Sequence, residues 1–266
     1  MFTRALLIAL FMGCIGPISA VAASAAMDAD PPVFAERTVT TSSGTFAFRV
    51  FVPVHRDPHK KSPVILFLHG AGERGSDNRA QTTVGIPLLI AQDPEFPAVV
   101  VCPQCKGDNA WWTEPAMEDL ALKALDQSIQ EFNCDPRRVY LTGLSMGGYG
   151  TWDLAQKYPD RWAAIAPCCG GLIVPWLRTT PLANPYTAVA KKVVDIPTWV
   201  FHGEMDSVIP VSESRQMVGL LYMVRAGRKS PDLKYTEYPG VGHDSWNKAY
   251  KEPGLLTWLF AQKKKK

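Results

Sequence analysis

Arg138-Val139-Tyr140-Leu141-Thr142-Gly143-Leu144-Ser145-Met146-Gly147-Gly148-Tyr149-Gly150-Thr151-Trp152 is the stretch whose reading decides the fold. Arg138 to Thr142 reads as a strand running in, and Gly148 to Trp152 as a helix running out. Between them stands Gly-x-Ser-x-Gly, at 143–147. The five-residue pattern is weak alone, and the strand before it with the helix behind it supplies the setting it requires. Its glycines permit a tight turn in which Ser145 takes strained backbone angles and leaves its Oγ exposed. The competing reading is a glycine-rich helix start with an ordinary serine.

Outward from this turn, short continuous apolar runs recur, as expected of strands buried on both faces. They are 64–68, 98–101, 139–141, 163–167 and 198–201, with a last strand at 233–238. Helical patterns fall between them, at 114–132, 146–157, 212–226 and 255–261. Ahead of all these, Arg37 to Thr41 and Thr45 to Pro53 flank Ser42-Ser43-Gly44 as a hairpin. The β-α-β alternation predicts an α/β fold: a mostly parallel central sheet with helices on both faces. No internal repeat, low-complexity segment or linker interrupts it, so one domain is expected over 27–262.

The composition agrees. Of 266 residues, 47% are hydrophobic, and 11 Phe, 8 Trp and 8 Tyr supply a core that excludes wholesale disorder. A net charge of +3 offers no footprint for nucleic acid, and the basic residues are scattered apart from a solvated tail expected at Lys263 to Lys266. No internal stretch reaches the roughly 18 apolar residues of a membrane span. Residues 1–26 read as a secretory leader: Arg4, the apolar Ala5 to Met12, then Ala20-Val21-Ala22 or Ala23-Ser24-Ala25 as a cleavage site. A periplasmic or secreted location follows, with a lipid anchor through Cys14 the less favoured variant. Five further cysteines, Cys102, Cys105, Cys134, Cys168 and Cys169, leave at least one thiol unpaired in a monomer. The pairing stays open, Cys105 with Cys134 being the candidate. Cys102-Pro103-Gln104-Cys105 ends a strand rather than opening a helix, which disfavours a redox role. It has no second Cys-x-x-C to complete a zinc site.

A serine hydroxyl needs a base. Of five histidines, His55 and His59 sit in a charged loop, and His69 and His202 each end an apolar strand before a glycine. His243, in Gly240-Val241-Gly242-His243-Asp244 after the last strand, is placed to swing over the sheet's carboxyl edge toward Ser145. The base in turn needs an acid to hold its tautomer. Asp206 follows the strand 198–201, with Glu204 as its rival. The Met146 N–H, directly after the serine, and the Ala71 N–H in His69-Gly70-Ala71-Gly72-Glu73-Arg74-Gly75 are the expected oxyanion donors, Gly72 being the alternative to Ala71. Glu73 and Arg74 bind substrate or brace that loop as an ion pair. Trp111 and Trp112, at a strand's carboxyl edge, are either a wall for a sugar or aromatic acid or part of the core.

These motifs carry a resemblance. HGAGERG at 69–75, PQC with a following Trp at 103–112, GLSMGG at 143–148, HGEMDSVIP at 202–210 and GVGHDSW at 240–246 resemble secreted α/β-hydrolase esterases. The group is the one near dienelactone hydrolases, feruloyl esterases and polyhydroxybutyrate depolymerases, often labelled predicted peptidases. The order Ser145, Asp206, His243 is the α/β-hydrolase order. The resemblance implies that fold, no cofactor and no metal, and hydrolysis of a carboxylic ester through an acyl-enzyme. A serine at the turn departs from the dienelactone hydrolases, which carry cysteine there. Only 26 residues, Gly171 to Ile196, separate the Cys169-Gly170 turn from the next strand, and Pro175, Pro181 and Pro185 fall among them. No substantial cap domain is therefore expected, and an open site suits an acetyl or feruloyl ester on a polymer, with Trp176 a weaker candidate wall. The alternatives are a serine peptidase of the same fold and a carbohydrate-binding protein that lost catalysis.

Overall fold

The computed structural model describes residues 34–57, 59–173, 185–229 and 231–264. The leader, Cys14 and Trp176 lie outside the described residues, as do Pro175 and Pro181.

Eight strands form one sheet: β1 (Phe34–Thr41), β2 (Gly44–Phe51), β3 (Ser62–Leu68), β4 (Val99–Pro103), β5 (Cys134–Leu144), β6 (Ala164–Cys168), β7 (Thr198–Gly203) and β8 (Leu233–Tyr238). Their order is β1-β2-β4-β3-β5-β6-β7-β8. The hairpin strand β2 pairs antiparallel with β1 and β4, and every other pairing is parallel. The helices are α1 (Gly85–Ile90), α2 (Pro115–Glu131), α3 (Met146–Lys157), α4 (Pro185–Lys192), α5 (Ser212–Arg225), α6 (Trp246–Ala249) and α7 (Leu255–Ala261).

Side-chain alternation along the strands assigns the two faces. Val64, Leu66 and Leu68 of β3 join Val99 and Val101 of β4 in a core with α2, α3, α4 and α5. Ile65 and Phe67 join Val100 and Cys102 on the opposite face, under α1, α6 and α7. With both faces covered, the central strands need no polar alternation, which is why they read as unbroken apolar runs.

The register sets the active edge. Leu68 pairs with Gly143, Leu144 with Cys168, Cys168 with Phe201, and Gly203 with Tyr238, so these strands end together. Chain order reverses at β3, which has β4 on one side and β5 on the other. Such a switch point opens a crevice at the strands' carboxyl ends.

Three features differ from the sequence reading. Helices α1 and α6 are too short to show a 3.6-residue period, and α4, in the proline-bearing segment, was not expected; it buries Tyr186, Val189 and Ala190. The described part of the lysine tail is fastened: Lys263 Nζ lies 3.1 Å from Asp135, and the Lys264 N–H donates to the Arg137 carbonyl at 3.0 Å. The five cysteines are buried free thiols, so Cys105 and Cys134 are not paired. Burial pushes the Cys105 and Cys134 thiols up to about 12, which keeps them protonated and unreactive.

Candidate active site

Ser145 stands between β5 and α3 with φ 53° and ψ −116°, a conformation costly for a residue with a side chain. Contacts on both sides hold it there. The Ser145 N–H donates to the Cys168 carbonyl at 3.0 Å, and its own carbonyl accepts the Gly148 N–H at 2.8 Å. A Cβ on Gly147 would lie 1.9 Å from the Leu68 carbonyl oxygen, and one on Gly143 would lie 2.4 Å from that of Gly147. Both glycines are therefore obligatory, because backbone occupies the space.

Three loops meet at this turn. His243 Nε2 is 2.9 Å from Ser145 Oγ, and His243 Nδ1 is 2.8 Å from Asp206 Oδ2. The predicted Ser145, Asp206 and His243 thus form one continuous chain of hydrogen bonds. Asp206 Oδ1 also accepts the N–H groups of Val208 and Ile209, each at 2.9 Å. Burial alone would raise the Asp206 pKa, but the donors from His202, His243 and Ile209 outweigh it and hold the carboxyl well below its ordinary range. At His243 burial opposes the charged form, yet the Asp206 hydrogen bond and the negative groups around it prevail, and its pKa is raised above 6.5. Glu204 is exposed and caps the neighbouring loop, accepting the Gly240 N–H at 2.9 Å.

Met146 follows the serine directly, and Ala71 follows Gly70, which lies against the nucleophile turn. Ala71 opens a 3₁₀ turn (Ala71–Glu73) and Met146 opens α3, so neither N–H has a partner in its own helix. The 3₁₀ turn lies against the nucleophile turn: a Cβ on Gly70 would sit 3.7 Å from Ser145 Cβ. Two residues hold this loop: Gln104, to which the sequence reading gave no role, and His69, which it set aside as a base because a histidine ending an apolar strand before a glycine shapes a loop. Buried Gln104 accepts the Asn78 N–H at 2.7 Å and donates to the Glu73 carbonyl at 3.1 Å and to Asp77 at 2.7 Å. Buried His69 accepts the Cys105 N–H at Nε2, 2.9 Å, and donates from Nδ1 to the Gly70 carbonyl at 2.6 Å. That carbonyl belongs to the same peptide unit as the Ala71 N–H, so His69 fixes the direction of the donor. A polar residue ending an apolar strand was the available signal for both.

His69 also couples the loop to pH. Burial pushes its pKa down to about 4, against a partial rise from the Gly70 carbonyl. The folded chain therefore keeps His69 neutral while the unfolded chain protonates below about 6.5, so this contribution is complete above that value and falls away toward pH 4. Lowering the pH from 6.5 to 5 is expected to remove about 2 kcal/mol through this residue. Urea unfolding of wild type and His69→Gln at both values checks it; the same pH slope in the two proteins would refute the assignment.

The expected substrate contacts separate. Trp112 is 1% exposed, donates from Nε1 to the His69 carbonyl at 3.0 Å and packs against the His69 ring, so it is a core prop rather than a wall. Trp111 is half-buried at the rim, edge-on to Tyr149 and under the Arg74 guanidinium. Arg74 Nε donates to the Ala110 carbonyl at 2.6 Å. Glu73 buries one carboxylate oxygen against the Gly70 backbone, and that burial raises its pKa. Met205 and Val208, on the Asp206 loop, are 66% and 60% exposed. The Trp246 ring stands perpendicular to His243, 5.3 Å between centroids.

Donor atoms of Cys169, Asp206 and His243 lie within 4.8 Å of one another, one candidate metal cluster among the described residues. Asp206 and His243 direct their donors at each other, an arrangement suited to holding a proton. No helix among the described residues is long and apolar enough to cross a membrane.

A mostly parallel sheet with helices on both faces, and a strained serine at its carboxyl edge joined to histidine and aspartate, define an α/β-hydrolase. Residues 114–252 match the phospholipase/carboxylesterase family, and the chain belongs to that family. It is 28% identical over 214 residues to a bifunctional acetylxylan esterase/xylanase of Neocallimastix patriciarum, a match covering 79% of this chain and 27% of that protein. It is 26% identical over 228 residues to poly(3-hydroxyalkanoate) depolymerase C of Paucimonas lemoignei, covering 74% and 53%. The crystal structure of a thermostable esterase superposes with a TM-score of 0.74 at 32% identity, covering 87% of this chain and 64% of that one. The chain thus spans about a quarter to a half of the curated relatives' length.

Proposed function

We propose that this protein is an exported serine carboxylic-ester hydrolase working through an acyl-enzyme. Its substrates are acetyl or feruloyl-type esters of polysaccharide, or related small esters. The observation that carries the reading is the Ser145–His243–Asp206 chain, with links of 2.9 Å and 2.8 Å at a strained turn. Ser145 Oγ attacks the ester carbonyl carbon while its proton passes to His243 Nε2. The carbonyl's electron pair moves onto oxygen, which the Ala71 and Met146 N–H groups receive. Asp206 holds His243 Nδ1–H and stabilises the imidazolium. Collapse breaks the bond to the alcohol oxygen, which takes the His243 proton. Water then attacks the acyl-serine as His243 takes its proton; collapse breaks the bond to Ser145 Oγ, which recovers the proton from His243 as the acid leaves.

The names of the two relatives, an acetylxylan esterase and a polyester depolymerase, support an ester attached to a polymer. Half-buried Trp111, with exposed Met205 and Val208, supplies an aromatic and apolar rim for the acyl group.

The test is turnover by the full chain of p-nitrophenyl acetate, methyl ferulate and a peptide anilide, with a fluorophosphonate probe as covalent label. Ester turnover with label on the Ser145 peptide is the expected result; turnover of the anilide alone would overturn it. The raised His243 pKa adds a prediction, since the base must be neutral to accept the serine proton. The kcat/KM profile is expected to fall on the acid side with an apparent pKa above 6.5. A limb at carboxylate values would rule out His243 as the base.

A further inference from the structure

Asp206 has a second histidine. His202, the penultimate residue of β7, is 0% exposed, and its Nε2 lies 3.2 Å from the Asp206 Oδ2 that His243 also meets. The same Nε2 is 3.0 Å from the Ile209 carbonyl. A carboxylate and a carbonyl only accept, so Nε2 carries the proton and divides it between them. On the ring's other side Nδ1 is 2.7 Å from the hydroxyl of Ser214, buried in the first turn of α5. A neutral ring protonated at Nε2 has a lone pair at Nδ1, which the Ser214 hydroxyl fills. The result is a chain of five side chains: Ser214, His202, Asp206, His243, Ser145.

We propose that His202, held by Ser214, is a positioning residue for the Asp206–His243 pair. Sharing Oδ2, it fixes the carboxylate's direction and limits how strongly Asp206 draws a proton onto His243. The inference rests on the reading of Ser145, His243 and Asp206 as the catalytic groups. It goes further by assigning a task to two residues that touch neither substrate nor nucleophile.

The argument is electrostatic. Two backbone N–H groups hold Asp206 Oδ1, so Oδ2 is the oxygen left to answer the histidines. A carboxylate oxygen that accepts two donors divides its charge between them. Without the His202 donor, the full charge of Oδ2 faces His243, the imidazolium is stabilised further, and the His243 pKa rises. The sign is the same whether His202 is neutral or protonated, since removing a donor or a positive charge has one direction. Other ionisable groups facing His202 are Cys169, at the end of β6, and Glu237, its ladder partner on β8. Glu237 is engaged by Arg215 and Tyr235, and Cys169 is wholly buried, so both stay in place when His202 is replaced.

The experiment measures kcat/KM against pH for p-nitrophenyl acetate with the full chain. The proteins are wild type, His202→Leu, His202→Gln and Ser214→Ala, beside Ser145→Ala, each checked for cooperative thermal unfolding. His202→Leu is expected to move the acid limb upward by about half to one pH unit. Ser214→Ala, which frees the ring, moves it less in the same direction. His202→Gln keeps an N–H near the Nε2 position and returns the limb toward wild type. A structural role alone would lower the plateau and the unfolding temperature while leaving the limb in place, and that outcome overturns the proposal. So does a limb that moves equally in the Leu and Gln variants. Should His202→Leu fail to fold, Ser214→Ala decides the matter by the same criterion. Failure of the underlying reading looks different, because Ser145→Ala would then retain activity.

Discussion

Ser145→Ala is expected to lower kcat/KM for p-nitrophenyl acetate by about 10⁴- to 10⁶-fold, with the fold intact. The size follows from what the hydroxyl does in the proposed mechanism. Without Oγ no acyl-enzyme forms, and His243 and Asp206 have no proton to move, so the three groups fail as a unit. What persists is whatever the Ala71 and Met146 N–H groups give to direct attack by water. The fold should tolerate the change. Ser145 is half-buried with its hydroxyl on His243, and a methyl group keeps the same backbone angles. Initial rates and a thermal melt of the two proteins check it. Retention of more than about a hundredth of the wild-type rate would show that another residue is the nucleophile.

Gly147→Ala should have the largest effect on stability. Its added Cβ would meet the Leu68 carbonyl oxygen at 1.9 Å and that of His69 at 2.8 Å. These are backbone atoms of the strand end that leads into the Ala71 loop, and no rotamer change can move them. Either α3 lifts from β3 or the turn opens, and both separate Ser145 from Ala71. A loss of about 4 kcal/mol or more is expected, as for other severe packing violations, together with loss of hydrolysis. Gly219→Ala is the control. It lies exposed in α5 with nothing within 4 Å of an added Cβ. There alanine should add about 0.5–1 kcal/mol by relieving glycine's entropic cost in a helix. Urea unfolding of both variants checks the pair; a Gly147→Ala protein within about 1 kcal/mol of wild type would show that the turn has room the distances deny.

The elements legible in the sequence were those with strong local signals. Val64 to Leu68 reads as a strand because an unbroken apolar run suits burial on both faces, and α3 and α7 appear at the residues where their patterns place them. Helices α1 and α6 have six and four residues, too few for a period to emerge from their surroundings. Residues 134–137 of β5 include Asp135, Pro136 and Arg137, which carry no strand signal. They are extended because Ser62 of β3 and Lys264 lie alongside.

The candidate site divides in the same way. By itself the sequence determined the serine turn and the chain order Ser145, Asp206, His243, because such motifs need particular residues at short spacing. Only the tertiary structure decided between residues of equal local promise. It set Asp206 on the histidine and Glu204 in solvent, buried Trp112 while leaving Trp111 at the rim, and turned His202 onto the acid and His69 onto the Gly70 carbonyl. The physical reason is range. A turn's backbone angles depend on neighbours in the chain, whereas a hydrogen bond between residues 98 positions apart, such as that of Ser145 and His243, depends on how the sheet brings its strand ends together.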